Sequence, residues 1–132
     1  MVRGVESVLC GRPVTLVLAG RVYFLLTEKY GNIADLTERV RAETADSVAL
    51  TFDVARLLAE QGELIRRKLG YEPRELPTQD EIEEAALTVD PLTLVKLKKD
   101  VNAAIYVGMS REFLPEKIDL ALVELEKKTG EG

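Results

Sequence analysis

Residues 10–31 read CGRPVTLVLAGRVYFLLTEKYG, and within them the apolar period changes once. Val14 to Leu18 is a short β-branched-rich run that comes after the turn signal Cys10-Gly11-Arg12-Pro13. With Val5, Val8 and Leu9 on the other side of that turn, it predicts a β-hairpin. From Gly20 onward Val22, Leu25, Leu26 and Tyr30 recur at three- and four-residue spacing, and Gly31 stands where a left-handed helix C-cap belongs. A lone hairpin is marginal in water, so this one must lie against another part of the chain. The expected fold is mainly α: a short N-terminal β-hairpin followed by a compact bundle of five or six helices. All of 1–132 is expected to form a single domain, with a hairpin at 1–19, a helical core at 20–110 and a C-terminal amphipathic helix at 111–132.

Past Gly31, Asn32 is placed to cap a second short helix with Ile33, Leu36 and Val40 on one face. Residues 43–47 read as a connection. From about Asp46 to Leu69 runs a long amphipathic pattern, with Val48, Phe52, Ala55, Leu58, Ala59, Ile65 and Leu69 as the apolar stripe. Arg56, Glu60, Glu63, Arg66 and Arg67 stand opposite it. Gly62 lies on the stripe, which predicts either the close approach of a neighbouring helix or a bend. Gly70 to Pro77, with two prolines, reads as a loop. Thr78-Gln79-Asp80-Glu81 then matches a capping box opening a helix with Ile82, Ala85 and Ala86 inward. Asp90-Pro91 repeats the start signal and opens a helix with Leu94, Leu97, Val101, Ala104, Ile105 and Gly108 along one side. The four-three-four spacing there resembles a coiled-coil seam two heptads long. Beyond Pro115, Ile118, Ala121, Leu122 and Leu125 form a last apolar stripe, read either as a sixth helix on its own core or as an arm for a neighbour.

The composition narrows the chemistry. Hydrophobic residues make up 46% of the chain and charged ones 31%, which suits a globular domain large enough for one core. The formal net charge is −5, against the basic surface that nucleic acid requires. There is no histidine. The usual general base, the Ser-His and Cys-His nucleophile pairs and the commonest zinc ligand are thereby excluded. Cys10 is the only cysteine and has no histidine to activate it, so it reads as a small apolar residue ending a strand. Asp80, Glu81, Glu83 and Glu84 cannot converge on one point of a helix and read as a capped helix start. Lys96, Lys98 and Lys99, like Arg66 to Lys68, each span one turn and read as a wet helix face. Tyr23, Tyr30 and Tyr106 are amphipathic and read as core-edge residues that can also anchor a partner. No phosphate loop, dinucleotide fingerprint or zinc-protease motif is present. No signal peptide or apolar run long enough to span a bilayer is evident, so a cytoplasmic location is expected. Neither cofactor nor metal is expected, and the chain reads as a binding or assembly protein and not as an enzyme.

The order of elements carries a resemblance. Val14 to Leu18 runs straight into Ala19 to Gly31 and then Asn32-Ile33-Ala34-Asp35. This resembles the opening of the small tail assembly chaperones of siphophages and related prophages, where a β-hairpin leads into a first helix ending in an aromatic-Gly pair. Leu57 to Gly62, Leu76 to Glu81 and Val101 to Met109 are similar to the rest of that pattern, so the resemblance spans roughly residues 8–110. It implies a mainly helical, non-catalytic protein of the bacterial host cytoplasm. Such a protein binds the tape measure protein and keeps it soluble while tail tube subunits polymerise around it. The tape measure protein is the implied partner, with the tail tube protein and further copies of the chain as additional candidates; no nucleic acid or membrane is implied. The surface expected to cover a partner's apolar stripe is the seam of Leu94, Leu97, Val101 and Ile105 or the C-terminal stripe of Ile118, Leu122 and Leu125. The competing reading is a small helical DNA-binding regulator or antitoxin-like protein. No helix, however, displays the Arg and Lys run with Asn or Gln that base edges require.

Overall fold

The computed structural model describes residues 3–109, so the expected C-terminal helix at 111–132, with Ile118, Leu122 and Leu125, lies outside the described residues. Two strands pair antiparallel, β1 (Val5–Leu9) with β2 (Arg12–Leu16), in a register that sets Val5 opposite Leu16 and Leu9 opposite Arg12. Cys10 and Gly11 alone join them. Both have positive φ, 53° and 76°, the geometry of a type I′ turn, whose twist matches that of the strands. Cys10 is therefore the first turn residue and not the end of a strand. Pro13 belongs to β2 opposite Val8, a position where no ladder donor is required.

Five helices come next: α1 (Arg21–Tyr30), α2 (Ile33–Arg41), α3 (Ala45–Lys68), α4 (Gln79–Thr88) and α5 (Pro91–Met109). Their starts are local chemistry. The Asn32 side chain accepts from the Asp35 N–H at 3.2 Å, and Thr44 Oγ1 accepts from Ser47 N–H at 3.3 Å. Thr78 and Glu81 form the reciprocal capping box at 3.2 and 3.0 Å. Asp90 accepts from the Thr93 N–H at 3.0 Å. Gly31, with φ of 86°, ends α1 where a side chain would be strained.

α3, 24 residues long, is the axis on which the rest is assembled. Its buried Val54, Ala55, Leu58 and Ala59 meet Leu16 from β2, Leu26 from α1, Leu36 and Val40 from α2, and Val101 and Ile105 from α5 in one core. The close neighbour at Gly62 is a strand and not a helix. A Cβ on Gly62 would fall well inside 3.0 Å of the Thr15 carbonyl oxygen, so only glycine lets β2 cross there. Chain extending from β2 stays against the same helix, Val17 N–H donating to the Leu58 carbonyl at 3.1 Å. At Gly108 of α5 a Cβ would stand 2.5 Å from the Leu18 carbonyl oxygen, so the segment after β2 is clasped between two helices.

The outer face of α3 departs from expectation at its C-terminal end. Glu63 and Arg66, expected in solvent, are each 5% exposed, whereas Leu69 is 52% exposed. The loop after α3 folds back over this turn. Glu63 accepts from Arg66 Nη1 and Arg67 Nε, both at 2.9 Å, and from the Arg74 backbone N–H at 2.6 Å. Arg66 also donates to the Glu72 carbonyl at 3.1 Å. Burial would raise the Glu63 pKa, but these hydrogen bonds outweigh it and hold the carboxyl below its ordinary value.

Candidate functional site, a groove between α2 and α5

α2 and α5 both rest on α3 and also contact each other, with polar side chains of α5 bridging the two. Lys98 on α5 donates through Nζ to the Ala42 carbonyl and to Ser47 Oγ, both at 2.7 Å, tying the end of α2 to the start of α3. One turn on, Asn102 Nδ2 donates to the Thr37 carbonyl at 3.3 Å, while Asn102 Oδ1 is buried with no hydrogen-bond partner among the described residues. Small residues, Ala34 on α2 and Ala103 on α5, keep the walls low. What results is an open trough of about 1500 Å³ that runs along α5 from Pro91 to Met109, with Tyr23 of α1 among its lining residues. Small-molecule pockets are usually about 300–1,000 Å³ and enclose their ligand. This one is larger and open, the shape that receives a stretch of polypeptide.

Its lining mixes apolar anchors with positive charge. Val95 is 49% exposed and Tyr106 73% exposed, and Met109 continues the same side of α5. Among the described lining residues Arg41, Lys98 and Lys99 supply cations against the carboxylate of Glu43, a local excess opposite in sign to the net charge of the chain. Arg41 also pairs with Glu38 at 2.7 Å on the exposed side of α2.

The seam expected from sequence divides here. Leu97, Val101 and Ile105 are each at most 3% exposed and face the core, Ile105 forming part of the groove floor. Leu94 is half-buried and lines the groove. Of the tyrosines expected to be able to anchor a partner, Tyr23 and Tyr106 also line it. Tyr30 instead hydrogen-bonds Asp53, which also pairs with Lys29 at 2.7 Å. Burial raises the Tyr30 pKa, and the Asp53 carboxylate raises it further. Val95 and Met109 were missed by the seam because they lie beside the buried stripe. The signal in sequence for Val95 is an apolar residue out of phase with the core period, whereas Met109 continues the four-residue step from Ile105.

Comparison with known proteins returns no match, whether to a family profile, a curated protein or a solved structure.

Other features are occupied by structural duties. Glu81 of the acidic run is a capping residue whose carboxylate also pairs with Arg12 at 3.2 Å. Among the described residues no group of three or more Cys, Asp or Glu side chains is arranged to hold a metal ion. A smaller recess of about 400 Å³ lies between the hairpin tip and the α4–α5 junction, lined by Cys10, Phe52 and Leu92 among others. Burial, helped by the nearby Glu81 carboxylate, pushes the Cys10 thiol up, opposite to what a nucleophile requires. Among the described residues no helix is long and apolar enough to cross a membrane.

Proposed function

We propose that this chain is a phage or prophage tail assembly chaperone that binds the tape measure protein during tail morphogenesis by apolar helix contacts and without catalysis. Two things support the reading. The order of elements from residue 8 to 110 resembles that family, and the α2–α5 groove suits an amphipathic helix laid in a trough. The groove is the observation that carries it: an open apolar channel with Val95 and Tyr106 standing in it unburied. A tape measure protein is a long helical chain with apolar stripes, and masking one stripe at a time keeps it soluble before tail tube subunits assemble on it. The site of action is then the cytoplasm of the bacterial host. Leu94, Val95 and Tyr106 form the contact surface, whereas Leu97 and Val101 act from beneath by holding α5 in place.

Co-expression with the tape measure protein encoded nearby tests this. The expected result is a soluble complex that co-purifies, with Tyr106→Ala weakening it by about thirty-fold, as a buried aromatic anchor does. Failure to co-purify or to raise the partner's solubility overturns the proposal.

A further inference from the structure

The α2–α5 groove carries more positive charge than its described residues neutralise. Lys98 is half-buried, and its ammonium donates to two neutral acceptors, the Ala42 carbonyl and Ser47 Oγ, both at 2.7 Å. Lys99, the next residue, is exposed and forms no ion pair among the described residues. Arg41, on the wall that α2 supplies, pairs with Glu38 out in solvent. Among the described lining residues the only carboxylate is that of Glu43. The cations are also gathered at one level. Ala42 of the α2 end meets Lys98, and Thr37, earlier on α2, meets Asn102, so the two helices run antiparallel. Along α5 that level has Leu94 and Val95 one turn before it and Tyr106 two turns after it. From Val95 to Tyr106 is about 16 Å of helix, with the positive charge between the two apolar anchors.

We infer that the groove selects an acidic amphipathic helix of another protein, whose apolar stripe sits on Leu94, Val95 and Tyr106 and whose carboxylates, flanking the middle of that stripe, face Arg41 and Lys99. An occupant expels water from the groove and leaves Lys98 more deeply buried than before. A neutral helix supplies nothing to offset that charge, and a basic one sets cation against cation. Carboxylates remove both costs, so the selectivity comes as much from rejecting the wrong helices as from holding the right one. The net charge of −5 also works against an acidic helix settling elsewhere on the surface. The inference rests on the reading of this groove as a helix dock and adds the charge that the docked helix must carry.

Fluorescence anisotropy with the full chain tests it. The probe is a labelled amphipathic peptide of about eighteen residues, matched to the length of α5, with a leucine stripe and glutamates flanking its two central turns. Two companion peptides carry glutamine or lysine in place of the glutamates. At low salt the glutamate peptide should bind about ten-fold more tightly than the glutamine one, and the lysine peptide most weakly. At about 1 M salt, where screening acts within about 3 Å, the first two should converge. The pair Lys99→Glu and Arg41→Glu should reverse the order, and Tyr106→Ala should weaken all three peptides alike. These three residues are exposed, so the variants keep the fold, which thermal melting by circular dichroism verifies. Equal binding of the three peptides overturns the inference and leaves the groove a helix dock. A preference that survives the charge reversal, or binding indifferent to Tyr106→Ala, places the peptides elsewhere and also overturns it. So does a mass by light scattering that doubles in the parent and not in Tyr106→Ala, which would seat a second copy in the groove. Binding of none of the peptides overturns the inference together with the groove's part in the proposed function, whereas the co-expression with the tape measure protein is decided separately.

Discussion

α5 has two sides, and they are built on opposite rules. Near Gly108 the Leu18 backbone lies so close that there is no room for a Cβ. Along the turns that carry Lys98 and Asn102, long polar side chains bridge to α2 by hydrogen bonds. At Gly108 the first side closes because the missing side chain brings main chain onto main chain, and Leu97, Val101 and Ile105 fill the rest of it. On the second side polar hydrogen bonds join α5 to α2, and Val95 and Tyr106 stay exposed. Both sides carry apolar residues, and only their packing separates the interior from the proposed docking surface.

Close main-chain contact is most exposed to challenge at its tightest point. Gly62→Ala forces a methyl group against the Thr15 carbonyl, where backbone must move, and should cost about 3 kcal/mol or more, at the upper end of overpacking. Urea denaturation measures it; an unchanged midpoint would mean that β2 does not cross there. Glu63→Ala comes next, at about 2–3 kcal/mol near neutral pH, because it strands Arg66 in a buried position. The folded Glu63 carboxyl titrates below its usual 4.5, so its stabilisation is present above that value and is lost as the pH falls through the depressed one. Glu63→Gln should flatten this component of an acid denaturation curve.

Gly108→Ala is a smaller test. The clash with the Leu18 carbonyl is real, but it lies in the last described turn of α5, and alanine regains up to about 1 kcal/mol of helix propensity. The net loss should be about 1 kcal/mol, read from the same denaturation curves. Smallest of all is the effect of Tyr106→Ala on the fold itself, within about 0.5 kcal/mol, since the ring is 73% exposed. A large loss of stability there would assign Tyr106 to the core and remove it from the groove.

Much of the architecture was legible in one dimension, for a particular reason. Helix starts are contacts across three residues. Asn32, the Thr78–Glu81 box and Asp90 could therefore be read directly, and the structure bears each of them out. The change of period between Leu18 and Val22 likewise marked where strand gives way to helix. Burial at Glu63 and Arg66 was not legible, since it depends on the 71–77 loop folding back eleven residues later to supply the Arg74 N–H. The groove was hidden for the same reason. Leu94 and Leu97 carry the same side chain three residues apart, and only the placement of α2 distinguishes the half-buried one from the core one.

Short-range interactions written along the chain were thus enough to set element types, their order, most of their ends, and a composition without histidine chemistry. Which partner each face receives was settled in three dimensions alone. Gly62 met a strand and not a helix, and α5 turned one flank to the core and left the other open. Apolar burial is non-directional and rewards any surface removed from water, so the long-range geometry that selects among surfaces is specified only once all the elements pack together.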